Sequence, residues 1–313
     1  MITRRHIRIK VMQSLYSYFS SNNDIAHIQK DMIKSINRIS DLHSIIISLL
    51  IEIRKYALIH FEERKMKYFP TNEDLEPNMK FVQNSVFSLF LKDEEVIKRN
   101  KRFSRIWKKD ELDLTRKIFL NIIKSDQYKV YLNSNVSNLE EDKNFIKVIL
   151  SNFLLDNTIF HHILKEKDIF WIDDLPFVSV YLINQIDYMK LDRDNSIMIS
   201  EVFKNKDDKS FAVKLFRETI SNNQYFDNLI DVSSNNWELD RIANMDILLI
   251  KMSLAEILSF KEMPIKVSFN EYIEISKYYS TKNSRVFING VLDKIVDNFK
   301  KEGKIKKVGR GLI

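Results

Sequence analysis

The stretch LLIEIRKYALIHF, residues 49–61, decides the class of fold. Its apolar residues recur three and four positions apart, which is the spacing that lines one face of an α-helix. Residues 145–164 repeat this pattern, and similar stretches occur along most of the chain. The sequence therefore predicts an all-α protein.

Glycine and proline, the residues that turns require, are rare in this chain. Four of each occur among 313 residues, and three of the glycines lie in the last eleven. So few turn residues argue against a sheet and favour helices. The prolines are predicted to mark helix boundaries at Pro70, Pro77, Pro176 and Pro264. The remaining glycine, Gly290, lies inside the last predicted helix, where we expect a neighbouring helix to approach its backbone closely.

The composition excludes several classes of function. The chain has no cysteine, which rules out disulfides, cysteine-bound zinc, iron–sulfur clusters and thiol nucleophiles. We expect neither a signal peptide nor a membrane span, and a cytoplasmic location. Fifty Lys and Arg against 43 Asp and Glu give a formal charge of +7, a mild preference for polyanionic partners.

The clearest chemistry lies at the start of the first predicted helix, where Thr3 is the expected N-cap. The basic residues that follow are Arg4, Arg5, His6, Arg8 and Lys10. Positive charge there opposes the helix dipole at a cost of roughly a few tenths of a kcal/mol each, so an anionic ligand is favoured. A solvated basic terminus is the alternative. On a helical wheel Arg4 and Arg8 lie in line with the apolar stripe and are expected to emerge beyond the core, whereas Lys10 faces away from it.

Two groups of motifs lie at opposite ends of the chain. The N-terminal group is Arg4-Arg5-His6-x-Arg8, Leu15-Tyr16 and Asn23-Asp24-Ile25. The C-terminal group comprises Trp237-x-Leu239-x-Arg241, Asp246, Leu249, Glu256, Pro264-x-Lys266-Val267, Asn270-Glu271 and Phe287-x-Asn289-Gly290-Val291-Leu292-Asp293. In order and spacing, both groups resemble the NusB family of transcription antitermination proteins.

This resemblance implies a discontinuous NusB-like domain, a helical bundle made of residues 1–25 and 208–299. Residues 26–207 form a helical insertion that the family pattern does not explain, and 300–313 form a basic tail. A shift of 66 residues aligns 142–145 with 208–211, Phe160 with Phe226 and Trp171 with Trp237. The insertion therefore either contains a degenerate repeat of the C-terminal unit or matches it through a shared helical period.

NusB-like proteins bind boxA-type RNA together with the ribosomal protein that acts as NusE, and they act on elongating RNA polymerase, notably at ribosomal RNA operons. The resemblance implies such a factor, with no catalytic activity, no cofactor and no metal. It places the RNA surface on Arg4, Arg5, His6, Arg8, Lys282, Asn283, Ser284 and Phe287. Phe287 either stacks on a base or belongs to the core. The surface that binds NusE is expected at Tyr16 and Asp246.

Two other classes of function are alternatives. Some RNA cytosine methyltransferases carry a NusB-like domain, but their catalytic domain needs a glycine-rich loop and a cysteine that this chain lacks. A helical protein-binding scaffold without RNA specificity is the second alternative. Within the insertion, the basic runs 98–102 and 107–109 either extend an RNA groove or are solvated helix ends.

Overall fold

The computed structural model describes residues 2–21, 23–107, 112–192, 197–199, 201–234, 242–305 and 307–308. Within these ranges the chain forms helices and no strand, so the predicted all-α class is confirmed. The helices are α1 (Arg4–Phe19), α2 (Ile25–Asn37), α3 (Ile39–Lys65), α4 (Asn72–Leu75), α5 (Ser85–Lys92), α6 (Glu94–Phe103), α7 (Leu112–Lys124), α8 (Asp126–Asn133), α9 (Leu139–Ile149), α10 (Thr158–Lys167), α11 (Trp171–Tyr188), α12 (Lys206–Ser221), α13 (Asn223–Ser233), α14 (Asn244–Ser259), α15 (Ile265–Tyr279) and α16 (Ser284–Lys301). None of the described helices has the length and apolarity that a membrane crossing requires.

Polar capping residues begin many of these helices. The N-caps whose side chains accept a backbone N–H are Thr3, Thr71, Asn84, Asp93, Ser125, Asn138, Asn157 and Asn205. Each satisfies at least one of the donors that the first helical turn leaves without a partner. Thr3 accepts from the backbone N–H of His6, so the predicted cap of α1 is confirmed. The breaks between helices therefore need little glycine or proline.

Three of the four prolines lie at helix boundaries as predicted. Pro70 and Pro77 flank α4, and Pro264 directly precedes α15. The prediction is wrong for Pro176, which lies inside α11. Pro176 is the sixth residue of α11, so the hydrogen bond that its missing N–H cannot donate lies near the start of the helix.

The chain divides into two compact units. Residues 1–36 and 203–313 form the first, which we call the terminal unit, and residues 37–202 form the second, the central unit. In the terminal unit α14 packs against α1, α12, α13, α15 and α16. Residues 248–257 of α14 are all buried. A helix that is apolar on every side needs such an enclosed position, so α14 is the core of this unit.

The central unit is built around α3, which at 27 residues is about 40 Å long. Helices α4, α6, α7 and α11 pack against it. Residues 42–51 are buried without interruption, and polar members of this run form hydrogen bonds. His43 Nε2 lies 2.6 Å from Gln185 Oε1, and Ser48 Oγ donates to Asn100 Oδ1 over 2.7 Å. The apolar stretch that predicted the fold is therefore part of the core of the central unit.

Residues paired by the 66-residue shift occupy similar positions in their own helices. Asp142 in α9 and Asp208 in α12 both lie in the first two turns of a helix and are buried. Phe160 and Phe226, both fully buried, lie on the helices α10 and α13. Trp237 lies outside the described residues. A duplicated helical unit stays a prediction.

Gly290 has no close neighbour among the described residues, contrary to the prediction from the sequence. It lies inside α16 on the exposed side, and a Cβ added to it would meet no described atom within 4 Å. The predicted close approach of a neighbouring helix is therefore wrong. Within the described part of the chain, nothing requires glycine at this position.

We expect Gly290→Ala to raise the free energy of unfolding by about 1 kcal/mol, because alanine loses less conformational entropy in a helix. Gly303→Ala is a control of opposite sign, since Gly303 has a φ of 66° and a Cβ in that left-handed region costs about 1–2 kcal/mol. Urea denaturation followed by circular dichroism measures both changes. A less stable Gly290→Ala protein would contradict the open space around this residue.

Candidate functional site

The first two arginines of α1 are half-exposed and ion-paired. Their side chains are 46% exposed for Arg4 and 45% for Arg5. Arg4 Nε donates to Asp208 Oδ1 over 3.2 Å, and Arg5 donates through Nε and Nη2 to the two Glu271 carboxylate oxygens over 2.8 and 3.0 Å. Each arginine has a carboxylate partner and still presents part of its side chain to solvent. The start of α1 is therefore less positive than its own sequence indicates.

Arg8 lies in the core, and its predicted place on the RNA surface needs correction. Its side chain is 2% exposed and donates two hydrogen bonds of 2.7 Å to Glu256, whose side chain is fully buried. Ser268 Oγ and Tyr272 Oη donate to the same carboxylate over 2.7 and 2.9 Å. The helical wheel placed Arg8 beyond the edge of the core, but a buried carboxylate holds it inside.

The surroundings of Arg8 stabilise its charge. Burial disfavours the cation, but the hydrogen bonds and the charge of Glu256 outweigh this, so the pKa of Arg8 is raised. The guanidinium carbon also lies 5.3 Å from the ring centroid of Phe211 and 5.9 Å from that of Tyr272, within the range of cation–π attraction. Arg8 therefore joins α1 to α12, α14 and α15 and is enclosed by them.

His6 adds no positive charge to the site at neutral pH. Burial, together with the charges of Lys10 and Arg5, lowers the pKa of His6 to about 4. Its Nδ1 lies 3.0 Å from Thr3 Oγ1. A neutral imidazole exchanges hydrogen bonds but does not attract phosphate. The prediction that Lys10 faces away from the core is wrong, because its side chain is 1% exposed.

The loop before α16 supplies two exposed polar residues, and α16 itself begins with a buried one. Lys282 and Asn283 are exposed, and the Asn283 side chain makes no capping hydrogen bond. Ser284 is 1% exposed, and its hydroxyl bonds to Ser280 Oγ and to the backbone N–H of Thr281, both over 3.0 Å. The predicted RNA contact of Ser284 is therefore corrected to a role in shaping the loop.

Phe287 belongs to the core of the terminal unit. It is 4% exposed and lies one turn into α16, whereas its neighbour Val286 is 61% exposed. Of the two alternatives left open by the sequence, the structure favours the core position. A ring enclosed in this way presents no face to a base, so Phe287 is removed from the set of RNA contacts.

Helix α15 connects the exposed residues of α1 to those of the loop. Arg5 bonds to Glu271 near the middle of α15, and the loop with Lys282 follows its C-terminal end. The helix rises about 12 Å from residue 271 to residue 279. We call the exposed set Arg4, Arg5, Lys282 and Asn283 the basic edge.

Asp246 is buried and holds the loop before α16 in place through Ser280. Its side chain is 4% exposed and accepts a hydrogen bond of 2.5 Å from Ser280 Oγ. Ser280 in turn accepts from Ser284. A partner protein cannot reach this carboxylate in the structure described, so the predicted partner contact of Asp246 is corrected to a positioning role for the basic edge.

Tyr16, the other residue predicted to bind a partner, is exposed beside a groove. Tyr16 and Phe19 are 46% and 43% exposed. The groove has a volume of about 310 Å³ and is lined by Tyr16, Phe19, Ser20, Asn223, Asp227, Asn244, Ile247, Leu248 and Lys251. Lys251 Nζ lies 2.7 Å from Asp227 Oδ1 and 5.4 Å from the Phe19 ring centroid. We call this feature the aromatic groove.

Several predicted residues of the insertion and of the family motif do not add to the site. Arg99 bonds to Glu95, Ser40 and the carbonyl of Ile199, so it holds the central unit together. The motif residues Trp237, Leu239 and Arg241, like the basic residues Lys108 and Lys109, lie outside the described residues. Among the described side chains, no group has the composition of a metal site.

The sequence missed the carboxylates that organise the site. Asp208 and Glu271 lie far along the chain from the arginines they bind, and no local pattern pairs them. The sequence did indicate that Glu256 is unusual, since it is a charged residue in a helix that is apolar on all sides. Such a residue requires a buried partner.

A family model described as the NusB family matches residues 179–297. The match begins inside α11, earlier than the predicted domain boundary at 208, and ends inside α16. It does not include α1.

Three curated relatives, each named transcription antitermination protein NusB, match about a third of the chain. The protein of Salinibacter ruber is 46% identical over 105 residues, which are 34% of this chain and 66% of the relative. That of Chloroherpeton thalassium is 43% identical over 105 residues, 34% of this chain and 50% of the relative. That of Alkaliphilus oremlandii is 37% identical over 89 residues, 28% and 64% of the two chains.

The chain thus spans between half and about two thirds of the length of these relatives. No solved structure matches it. Through residues 179–297, the chain belongs to the NusB family.

Proposed function

We propose that the terminal unit binds boxA-type RNA and that the protein is a non-enzymatic transcription antitermination factor. Relatives that bear this name support the antitermination role. The observation that carries RNA binding is the basic edge, where exposed cations from α1 and from the loop before α16 are linked through α15.

The proposal assigns different contacts to the four residues of the basic edge. Arg4, Arg5 and Lys282 contact phosphates, because their charged groups reach solvent. Asn283 contacts a base edge, since its amide both donates and accepts hydrogen bonds. The loop is held by Asp246 and Ser284 and needs little ordering when RNA binds.

We further propose that the ribosomal protein acting as NusE binds at the aromatic groove and that the complex acts on elongating RNA polymerase, notably at ribosomal RNA operons. Exposed Tyr16 and Phe19 support this position, because large aromatic side chains on a surface are typical of protein interfaces. The groove and the basic edge both belong to the terminal unit. One unit could therefore hold RNA and protein together.

A binding titration tests the RNA surface. Labelled boxA-type RNA and a scrambled RNA are titrated at two salt concentrations, with and without NusE, against the wild type and Arg5→Ala/Lys282→Ala. We expect the wild type to prefer boxA, more strongly with NusE present. The double variant is expected to bind less tightly, with a salt slope that is shallower by about 0.7 for each phosphate that no longer meets a cation.

The matched control is Lys300→Ala/Lys301→Ala, which removes two cations from the last turn of α16. These residues lie about 24 Å along the helix from Ser284, so wild-type affinity is expected. Equal affinity for boxA and scrambled RNA, unchanged in the basic-edge variant, would contradict the proposal and favour a protein-binding scaffold.

A further inference from the structure

A cleft in the central unit collects basic side chains far along the sequence from the basic edge. It has a volume of about 520 Å³ and is lined by Tyr56, His60, Glu63, Arg64, Lys67, Arg116 and Leu120. The lining residues come from α3, from the segment that follows it, and from α7. Three cations therefore face this space against one carboxylate.

The carboxylates in contact with this cleft neutralise its positive charge only in part. Arg64 Nε and Lys67 Nζ both bond to Asp74, so one carboxylate serves two cations. Arg116 is exposed, and no carboxylate among the described residues forms an ion pair with it. Burial lowers the pKa of His60, and the charges of Arg64, Lys67 and Arg116 lower it further against the opposing effect of Glu63. Against Glu63 and Asp74, the three cations leave the cleft with a net positive charge.

Two exposed aromatic residues directly follow Lys67, a lining residue of the cleft, in the chain. Tyr68 and Phe69 are 91% and 83% exposed, and their ring centroids are 4.7 Å apart with the planes at 89°. Tyr68 directly follows Lys67, which lines the cleft, and Met66, the residue before Lys67, is 83% exposed. Apolar side chains grouped on a surface in this way mark a contact site, because burying them on binding is favourable.

We infer that this surface of the central unit binds single-stranded nucleic acid, with phosphates at Lys67 and Arg116 and bases stacked on Tyr68 and Phe69. Proteins bind single strands through basic grooves flanked by exposed aromatic rings, because every base has a face that can stack and every nucleotide carries a phosphate charge. An apolar protein partner fits less well, because it would bury Arg116, which has no counter-charge among the described residues. The inference is separate from the proposed boxA surface, whose residues all lie in the terminal unit.

The test measures binding of the full-length protein to labelled oligouridine by fluorescence anisotropy at several salt concentrations. For Lys67→Ala/Arg116→Ala we expect Kd to rise about tenfold and the salt slope to become shallower by about 0.7 for each phosphate left without its cation. For Tyr68→Ala/Phe69→Ala we expect Kd to rise about tenfold with an unchanged slope, because stacking releases no counterions.

The control is Lys98→Ala/Arg102→Ala, which removes two cations of 79% and 71% exposure from α6 in the same unit. We expect this variant to bind oligouridine as the wild type does, and circular dichroism verifies that all variants fold. Wild-type affinity in either the cleft pair or the aromatic pair overturns the inference and leaves a protein as the occupant. An equal loss in the control also overturns it, because binding would then follow net charge alone.

The same titrations in the Arg5→Ala/Lys282→Ala background separate this inference from the proposed function. If Arg5→Ala/Lys282→Ala leaves the preference for boxA RNA unchanged, the boxA proposal fails. If replacing Lys67 and Arg116 leaves the affinity for oligouridine unchanged, the inference about the cleft fails. The two results are independent, since the substitutions lie in different units.

Discussion

Glu256→Ala is expected to lower the free energy of unfolding of the terminal unit by about 3–5 kcal/mol. The substitution leaves the Arg8 guanidinium, 2% exposed, without its buried counter-charge. It also removes the acceptor of the Ser268 and Tyr272 hydroxyls, each of which then stays buried without its hydrogen bond. Urea denaturation followed by circular dichroism measures the change.

The control for this prediction is Glu274→Ala, on α15. Glu274 forms a partly exposed ion pair with Lys277, one turn away, and such pairs contribute about 0–1 kcal/mol. A loss in Glu256→Ala no greater than that in Glu274→Ala would mean that Arg8 finds another partner or reaches solvent. Arg8 would then return to the set of candidate RNA contacts.

Phe287→Ala is expected to cost about 3–5 kcal/mol of stability, because it removes a ring that is 4% exposed and leaves a cavity. Its neighbour Val286, 61% exposed, is the control, and Val286→Ala is expected to change stability by no more than about 0.5 kcal/mol. Denaturation and boxA titration of both variants distinguish the two roles considered for Phe287. Unchanged stability with weaker RNA binding would contradict the core position and identify a stacking residue.

The sequence predicted the class of fold because that class depends on local properties. The helical spacing of apolar residues in 49–61 and the scarcity of glycine and proline both affect the backbone only within a few residues. Thr3 was predicted as a cap for the same reason. The helix boundary predicted at Pro176 was wrong because a proline near the start of a helix is tolerated.

The candidate site was predicted less well because its chemistry depends on contacts between distant residues. Arg8 and Glu256 are 248 positions apart, so a helical wheel of α1 alone could not show that the arginine is enclosed. The charged residues of α14 could have indicated these buried contacts. Asp246, Lys251 and Glu256 each interrupt an apolar helix, and each has a bonded partner in the terminal unit.

The division of the chain also has a consequence for the order in which the protein is made. Residues 1–36 leave the ribosome before the rest of their unit, which begins only at residue 203. At about 5–20 residues per second, roughly 10–30 seconds of translation separate the two parts. The central unit has its whole sequence available by the end of that interval, whereas α1 waits for Glu256 to emerge. The nascent chain therefore carries a basic, unassembled α1 while residues 37–202 are synthesised.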